Sequence, residues 1–404
     1  MKSAHRVASL IGVAPIVCAA ALLMAAEIRT VQPEGLTVHE WGTFTSVAGE
    51  DGAAADWDAL GCKSDLPSFV NDFGYRGFKW RLQGTVRMET PVLYFYSSRE
   101  LDAHVKVAFP HGLITEWYPK AEYEAYQSGV DGSMQRLAPN LNMIDTSMRT
   151  VTGGIEWKHV KVQPATSPVW PMESSPSHYY AARNTDAAPV TVGDQHEKFL
   201  FYRGVGRFPV PLSARLSGDG RVVVANRGSE TVPKAILFEN RNGRLGYCSA
   251  GAFNVAVTFD APPLEASFGQ LRNELETALI AQGLFPKEAQ AMVETWRDSW
   301  FEEGSRLIYI VPTRAVEAIL PLQIEPAPSQ TVRVFVGRIE LFTPGMKQEV
   351  ESAIARKDWL TVDRHSRFLA PMLKQIYHGD HERINAIEDL YRSYQRSTGG
   401  VVCR

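Results

Sequence analysis

The chain has 404 residues, with 42 Lys and Arg against 45 Asp and Glu, a formal net charge of −3. That length supports a large core and one big domain or two, and the near-balanced charge excludes an electrostatic grip on nucleic acid. Hydrophobic residues at 45% and charged residues at 22% are the proportions of a folded chain rather than a disordered one.

Lys2, His5 and Arg6 open the chain, and a charge-free run, VASLIGVAPIVCAAALLMAA, follows over 7–26. A basic n-region before an apolar stretch predicts a signal peptide over 1–26. The run is also long enough to serve as an uncleaved anchor, but Pro15 and the small residues at its end favour cleavage after Ala26. The expected location is periplasmic or extracellular, with membrane contact only through this segment if it is kept. Removal leaves Cys62, Cys248 and Cys403. In an oxidising compartment Cys62 is expected to pair with Cys248, leaving Cys403 free.

Residues 36–47 predict a strand that breaks its own alternation at His39, Glu40 and Trp41. Residues 48–82 read as a long loop. Residues 84–96 predict a strand in which Pro91 forces an edge position or a bulge. A hairpin is expected over 105–118, irregular chain over 122–150, a strand over 154–163 and a Pro/Ser-rich loop over 164–197. Short strands then recur from 198 to 259 with Gly-Asp-Gly and Asn-Gly turns, the pattern of a sandwich or barrel. From 264 the apolar spacing changes to three and four residues, so two helices are expected, one ending at Gly283 and one starting at Pro286. Strand patterning resumes over 306–311, 320–325 and 331–342, with a bulge expected at Gly337 where the apolar phase slips. Residues 344–397 read as helical.

These elements predict a mainly-β α+β fold. An antiparallel β-sandwich-like domain (27–263 and 305–343) carries an inserted helical hairpin (264–304) and a C-terminal helical cap (344–404).

Several stretches set ionisable groups beside aromatic residues. They include His39-Glu40-Trp41-Gly42, the run 178–186, the run 197–204 and Trp300-Phe301-Glu302-Glu303-Gly304. A carboxylate against an apolar wall, with a ring to stack on a sugar face, suits a glycosidase. The leading expectation is an exported hydrolase acting on glycan, with Glu40 and Glu303 as its paired carboxylates. Glu40 breaks a strand pattern, and Glu303 lies at the negative end of a helix. Trp41, His178, Tyr180, Arg183, Tyr202, Arg203 and Trp300 are the expected substrate-binding residues. Set against this, a Glu beside a Trp in a β-rich protein is commonly a surface or salt-bridged residue.

One alternative is a non-catalytic envelope β-sandwich that binds a ligand or protein partner. A further alternative is a divalent-metal site built from His39, His111, His178 and His196 with Glu40 and Glu197; the hydrolase reading itself needs no cofactor. No His-Glu-x-x-His, nucleophile-elbow, Walker or dinucleotide motif occurs in the sequence.

The stretches VHEWGTFT (38–45), HYYAARNTDAAP (178–189), EKFLFYRGVG (197–206) and RVFVGRIEL (333–341) resemble a set of uncharacterised exported bacterial proteins, over most of the chain beyond residue 26. The resemblance implies export. It implies no activity, and it transfers no catalytic residue.

Overall fold

The computed structural model describes residues 35–60, 66–72, 82–129, 131–137 and 149–398. The segment read as a signal peptide, and Cys62 and Cys403, lie outside the described residues. Strand exceeds helix, 40% to 26%, in several sheets of which none is closed.

In chain order the first strands are β1 Thr37–Val47, β2 Asn71–Asp72, β3 Val86–Tyr96, β4 Leu101–Phe109, β5 Gly112–Tyr118, β6 Glu122–Ser128, β7 Met134–Arg136 and β8 Val151–Val162. There follow β9 Val190–Val192, β10 Gln195–Glu197, β11 Leu200–Gly206, β12 Leu212–Leu216, β13 Val222–Asn226, β14 Ala235–Arg241, β15 Arg244–Ala250 and β16 Ala256–Phe259. The helices α1 Phe268–Ala281, α2 Pro286–Thr295 and α3 Arg297–Trp300 precede β17 Gly304–Val311. Then come α4 Thr313–Ile319, β18 Leu322–Glu325 and β19 Gln330–Leu341, and finally α5 Pro344–Arg356, α6 Trp359–Asp363, α7 Leu369–Ile376 and α8 His381–Ser397.

The central sheet has nine strands in the order β15-β14-β17-β19-β1-β3-β11-β5-β2. A seven-stranded sheet containing β4 and β8 and a three-stranded sheet of β12, β13 and β16 complete the β structure. Among the described residues every pairing is antiparallel except β1 with β19, so the two chain-distant strands that meet at the centre run parallel.

The position of β1 accounts for its unusual sequence. It is hydrogen-bonded on both edges and every residue in it is buried. Its alternation is regular, and neighbouring side chains point to opposite faces. Val38 and Phe44 join the core shared with Val105, Val107, Ile155 and Trp157 of the seven-stranded sheet. Trp41 and Val47 face the helices. The irregularity lies in β3, where the register jumps between the pairs Trp41–Val92 and Thr43–Glu89 and Thr90 adopts φ 46°. Pro91 has no N–H for the ladder. In an interior strand a bulge accommodates it, as the sequence suggested.

Two helical groups cover the other face of the central sheet. In the hairpin, a Ser267–Gln270 capping box starts α1, and Gly283, at φ 107°, permits the turn before Pro286 at the first position of α2. Leu271, Leu275, Leu279, Met292 and Val293 bury against Ile236, Phe238, Ile308, Ile310 and Val334 of the sheet. In the C-terminal cap, Val350, Met372, Leu373, Ile384 and Ile387 bury against Val47, Trp57, Leu113 and Val205.

Three expectations are corrected. Residues 122–150 are not irregular throughout, because β6 and β7 extend the seven-stranded sheet. The loop over 164–197 contains a 3-10 turn, His178–Arg183, and the strands β9 and β10. Gly337 is not a bulge, since β19 keeps its register past it on both edges. A Cβ there would lie 2.1 Å from the Tyr309 ring, so the glycine makes room for that ring.

Candidate functional site

Between the two helical groups, the helix-facing side of the central sheet turns from apolar to charged. Arg306 on β17, Arg338 and Glu340 on β19, Thr45 on β1, and Arg87 and Glu89 on β3 form a stripe across four neighbouring strands. Arg306, Arg338, Glu340 and Glu89 are each at most 2% exposed. Charges so buried are tolerated when they are paired and hydrogen-bonded.

Glu340 accepts from Arg306 Nε and Nη2, both at 3.1 Å, and from Arg338 Nη2 at 2.9 Å. The same guanidiniums hold the end of α3, whose last carbonyls lack intrahelical donors. Arg306 donates to the carbonyls of Trp300, Glu302 and Glu303 at 2.9, 2.6 and 2.8 Å. Arg338 donates to the Ser299 carbonyl at 2.8 Å and to Glu302 Oε1 at 2.6 Å. From the cap, Arg367 donates to Glu89 and, at 2.8 Å, to Ser299 Oγ, while the Thr45 hydroxyl donates to Glu89 at 3.0 Å. Burial pushes both carboxyls up. The guanidiniums of Arg306 and Arg338 at Glu340, and of Arg367, Arg87 and Arg338 at Glu89, outweigh it and hold both below the usual carboxylate range.

A cleft of about 1300 Å³ opens above this stripe at the seam between hairpin and cap. The hairpin supplies Arg297, Asp298, Glu302 and Glu303, with Phe268 and Phe301 as an apolar wall. The cap supplies Asp363, Arg364 and Arg367, and His178 lies at the rim. Arg297 lies over the Phe268 ring, 4.9 Å from its centroid. Three of the four carboxylates are tied to the protein itself. Glu302 is held by Arg338, Glu303 accepts the Asn242 N–H on both oxygens at 2.9 and 3.0 Å, and Asp363 accepts the Tyr391 hydroxyl. The fourth, Asp298, is 58% exposed and lies 3.5 Å from His178 Nε2.

Of the residues expected to form the site, Glu303 and His178 line this cleft. Trp300 is fully buried beneath it, its carbonyl held by Arg306. Glu40 is elsewhere. Its carboxylate accepts from Arg333 Nε at 2.6 Å and from the Tyr202 hydroxyl, and it is 0% exposed. Arg333 precedes Glu340 by seven residues on β19, about 23 Å along an extended strand, and Glu340 adjoins Glu303 through Arg306. The structure therefore does not bring Glu40 and Glu303 together as a carboxylate pair.

Trp41 is buried against Tyr94 on the opposite face of β1 from Glu40. Arg183 binds Glu197 and the Pro171 carbonyl, Tyr180 accepts the Glu173 N–H, and Arg203 pairs with Glu116 at 2.9 Å. His39 Nδ1 meets Glu288 at 2.8 Å and His196 Nδ1 meets Thr191. Among the described residues no three His, Cys, Asp or Glu side chains converge as metal ligands. Cys248 is a free, half-buried thiol in this structure. The sequence reading missed Arg297, Asp298, Arg364 and Arg367, and its only signal was the dense polar and aromatic run at 296–303.

No family model and no curated protein matches the chain. A solved structure, "Yeast delta-COP-I mu-homology domain complexed with Dsl1 WxWxV peptide", aligns with 77% of this chain and 100% of its own at 9% identity, with a TM-score of 0.27. At that score no common fold is established.

Proposed function

We propose that the protein is an exported binding protein whose cleft takes a neutral, hydroxyl-rich ligand of the glycan class. The observation that carries this is the composition of the lining, in which three guanidiniums face four carboxylates beside Phe268 and Phe301. A ligand of either charge meets both signs there. Sugar hydroxyls donate to carboxylates and accept from guanidiniums, and a ring face packs on an aromatic wall.

Hydrolysis of the same ligand is the second reading. It rests on Asp298, the cleft carboxylate whose contact is the imidazole of His178, a pairing used in general acid–base chemistry. Because the other three carboxylates hold the protein's own chain, binding is the reading favoured. Export is supported by the charge-free run over 7–26. Protein from its native host is expected to begin near Glu27, and an intact Met1 in the soluble cytoplasm would overturn export.

The test is titration of the whole mature chain against a panel of neutral and charged oligosaccharides, with product analysis. The expected result is saturable binding of a neutral glycan, unchanged by salt and weakened about tenfold in Asp298→Asn, the loss of about 1.4 kcal/mol. No binding across the panel, or binding abolished by salt, overturns the reading. Released sugar would move the assignment to the hydrolase.

A further inference from the structure

A small, partly open chamber adjoins the cleft. Glu302, Glu303, Arg364 and Arg367 line both spaces, and His365 and Glu340 line only the chamber. Its volume for the centre of a water-sized particle is about 10 Å³, room for a single water or hydroxyl.

Two side chains on its lining carry a buried polar atom without a hydrogen-bond partner. His365 is 6% exposed, and its Nε2 is unpartnered. The Arg367 side chain is 8% exposed. It donates Nη1 to Ser299 and Nη2 to Glu89, but its Nε is unpartnered. Native proteins rarely leave such atoms unsatisfied, and a site that does is a place to look for a missing group. The carboxylates alongside are already engaged, Glu340 by Arg306 and Arg338 and Glu302 by Arg338.

We propose that the chamber is a hydroxyl-binding subsite of the cleft, in which one ligand hydroxyl accepts from Arg367 Nε–H and hydrogen-bonds His365 Nε2. A hydroxyl both donates and accepts, so it satisfies the arginine and either tautomer of a neutral imidazole. An ammonium cannot accept from the guanidinium. A carboxylate or phosphate exceeds the space and faces Glu302, Glu303 and Glu340. Burial lowers the pKa of His365, which keeps the ring neutral near pH 7. The inference rests on the glycan reading of the cleft and adds to it the residues that would capture a single sugar hydroxyl.

The test uses the whole ¹⁵N-labelled protein. Ethylene glycol is the hydroxyl probe, and 1,2-dimethoxyethane is an ether control with no O–H. Ethylene glycol is expected to shift the His365 ring-nitrogen and Arg367 Nε signals saturably. The ether is expected not to, and His365→Leu is expected to abolish the response at Arg367. Should that variant not fold, His365→Gln, which keeps a polar end, is expected to retain a weaker response. A glycol response no larger than the ether's overturns the subsite and leaves a fixed structural water. These probes need no glycan, so an unsuccessful oligosaccharide panel does not decide the outcome. Where a glycan does bind, His365→Leu is expected to weaken it about tenfold. An affinity within twofold of the unaltered chain overturns the subsite and leaves the cleft reading standing.

Discussion

Glu40 and Glu89 show what a charge inside a sheet does in this protein. Glu40 is enclosed by Arg333 and Tyr202, so its removal leaves a buried guanidinium without its counter-ion. Glu40→Gln is expected to destabilise the fold by about 3–5 kcal/mol while leaving cleft binding unchanged, as read by thermal melts and titration. A variant as stable as the unaltered chain would refute the structural role. Glu89 supplies a pH signature. Its folded pKa lies below the ordinary value, so the unfolded chain takes up the proton first as pH falls. Its contribution is complete above the unfolded value of about 4.3 and is lost as pH falls through the folded value. The melting temperature is expected to be flat down to about pH 5 and to drop below about pH 4 by the same principle. In Glu89→Gln the neutral-pH stability is expected to be lower and the acid slope shallower. An unchanged slope would place the acid sensitivity elsewhere. The sequence marked Glu40 as exceptional because a charge interrupts a strand, but the partner that explains it is 293 residues away. Adjacency to Trp41 pointed to a sugar site. In a regular strand the two side chains face opposite ways, so they cannot share a pocket.

At the scale of elements, β19 was the most legible and the most misleading. Its alternation over 333–341 fixed a strand correctly. The slip of apolar phase near Gly337 reads as a bulge, yet the backbone stays in register. What changes is the chemistry of one face. Val334 and Val336 meet the hairpin, while Arg338 and Glu340 on the same side enter the charged stripe. A polar residue on a buried face mimics a phase shift when only hydrophobicity is read. Gly337→Ala is expected to cost about 1–3 kcal/mol through overpacking against Tyr309, with part of the loss recovered in a Tyr309→Leu background. An unperturbed Gly337→Ala melt would contradict the close approach. The helices were easier to place from sequence, because apolar spacing, Gly283 and Pro286 mark each start and stop locally. Their seating is not local, since it depends on contacts such as Glu288 with His39 and with the Tyr96 hydroxyl, at 2.8 Å each.

The whole molecule places hairpin and cap on one face of the central sheet, and their seam is the cleft. Its lining comes from residues near 178, 268, 297–303 and 360–367. No spacing rule joins such separated segments, which is why the mainly-β architecture could be read from the sequence and the site could not. The most direct test of the seam as the functional site is hydrogen–deuterium exchange of the whole chain, with and without the tightest-binding glycan of the panel. Protection is expected in peptides covering 176–178, 297–303 and 360–367, and none in 38–47 or 200–206. Protection centred on 38–47 and 200–206, with the seam unchanged, would contradict the account and return the site to Glu40 and Tyr202.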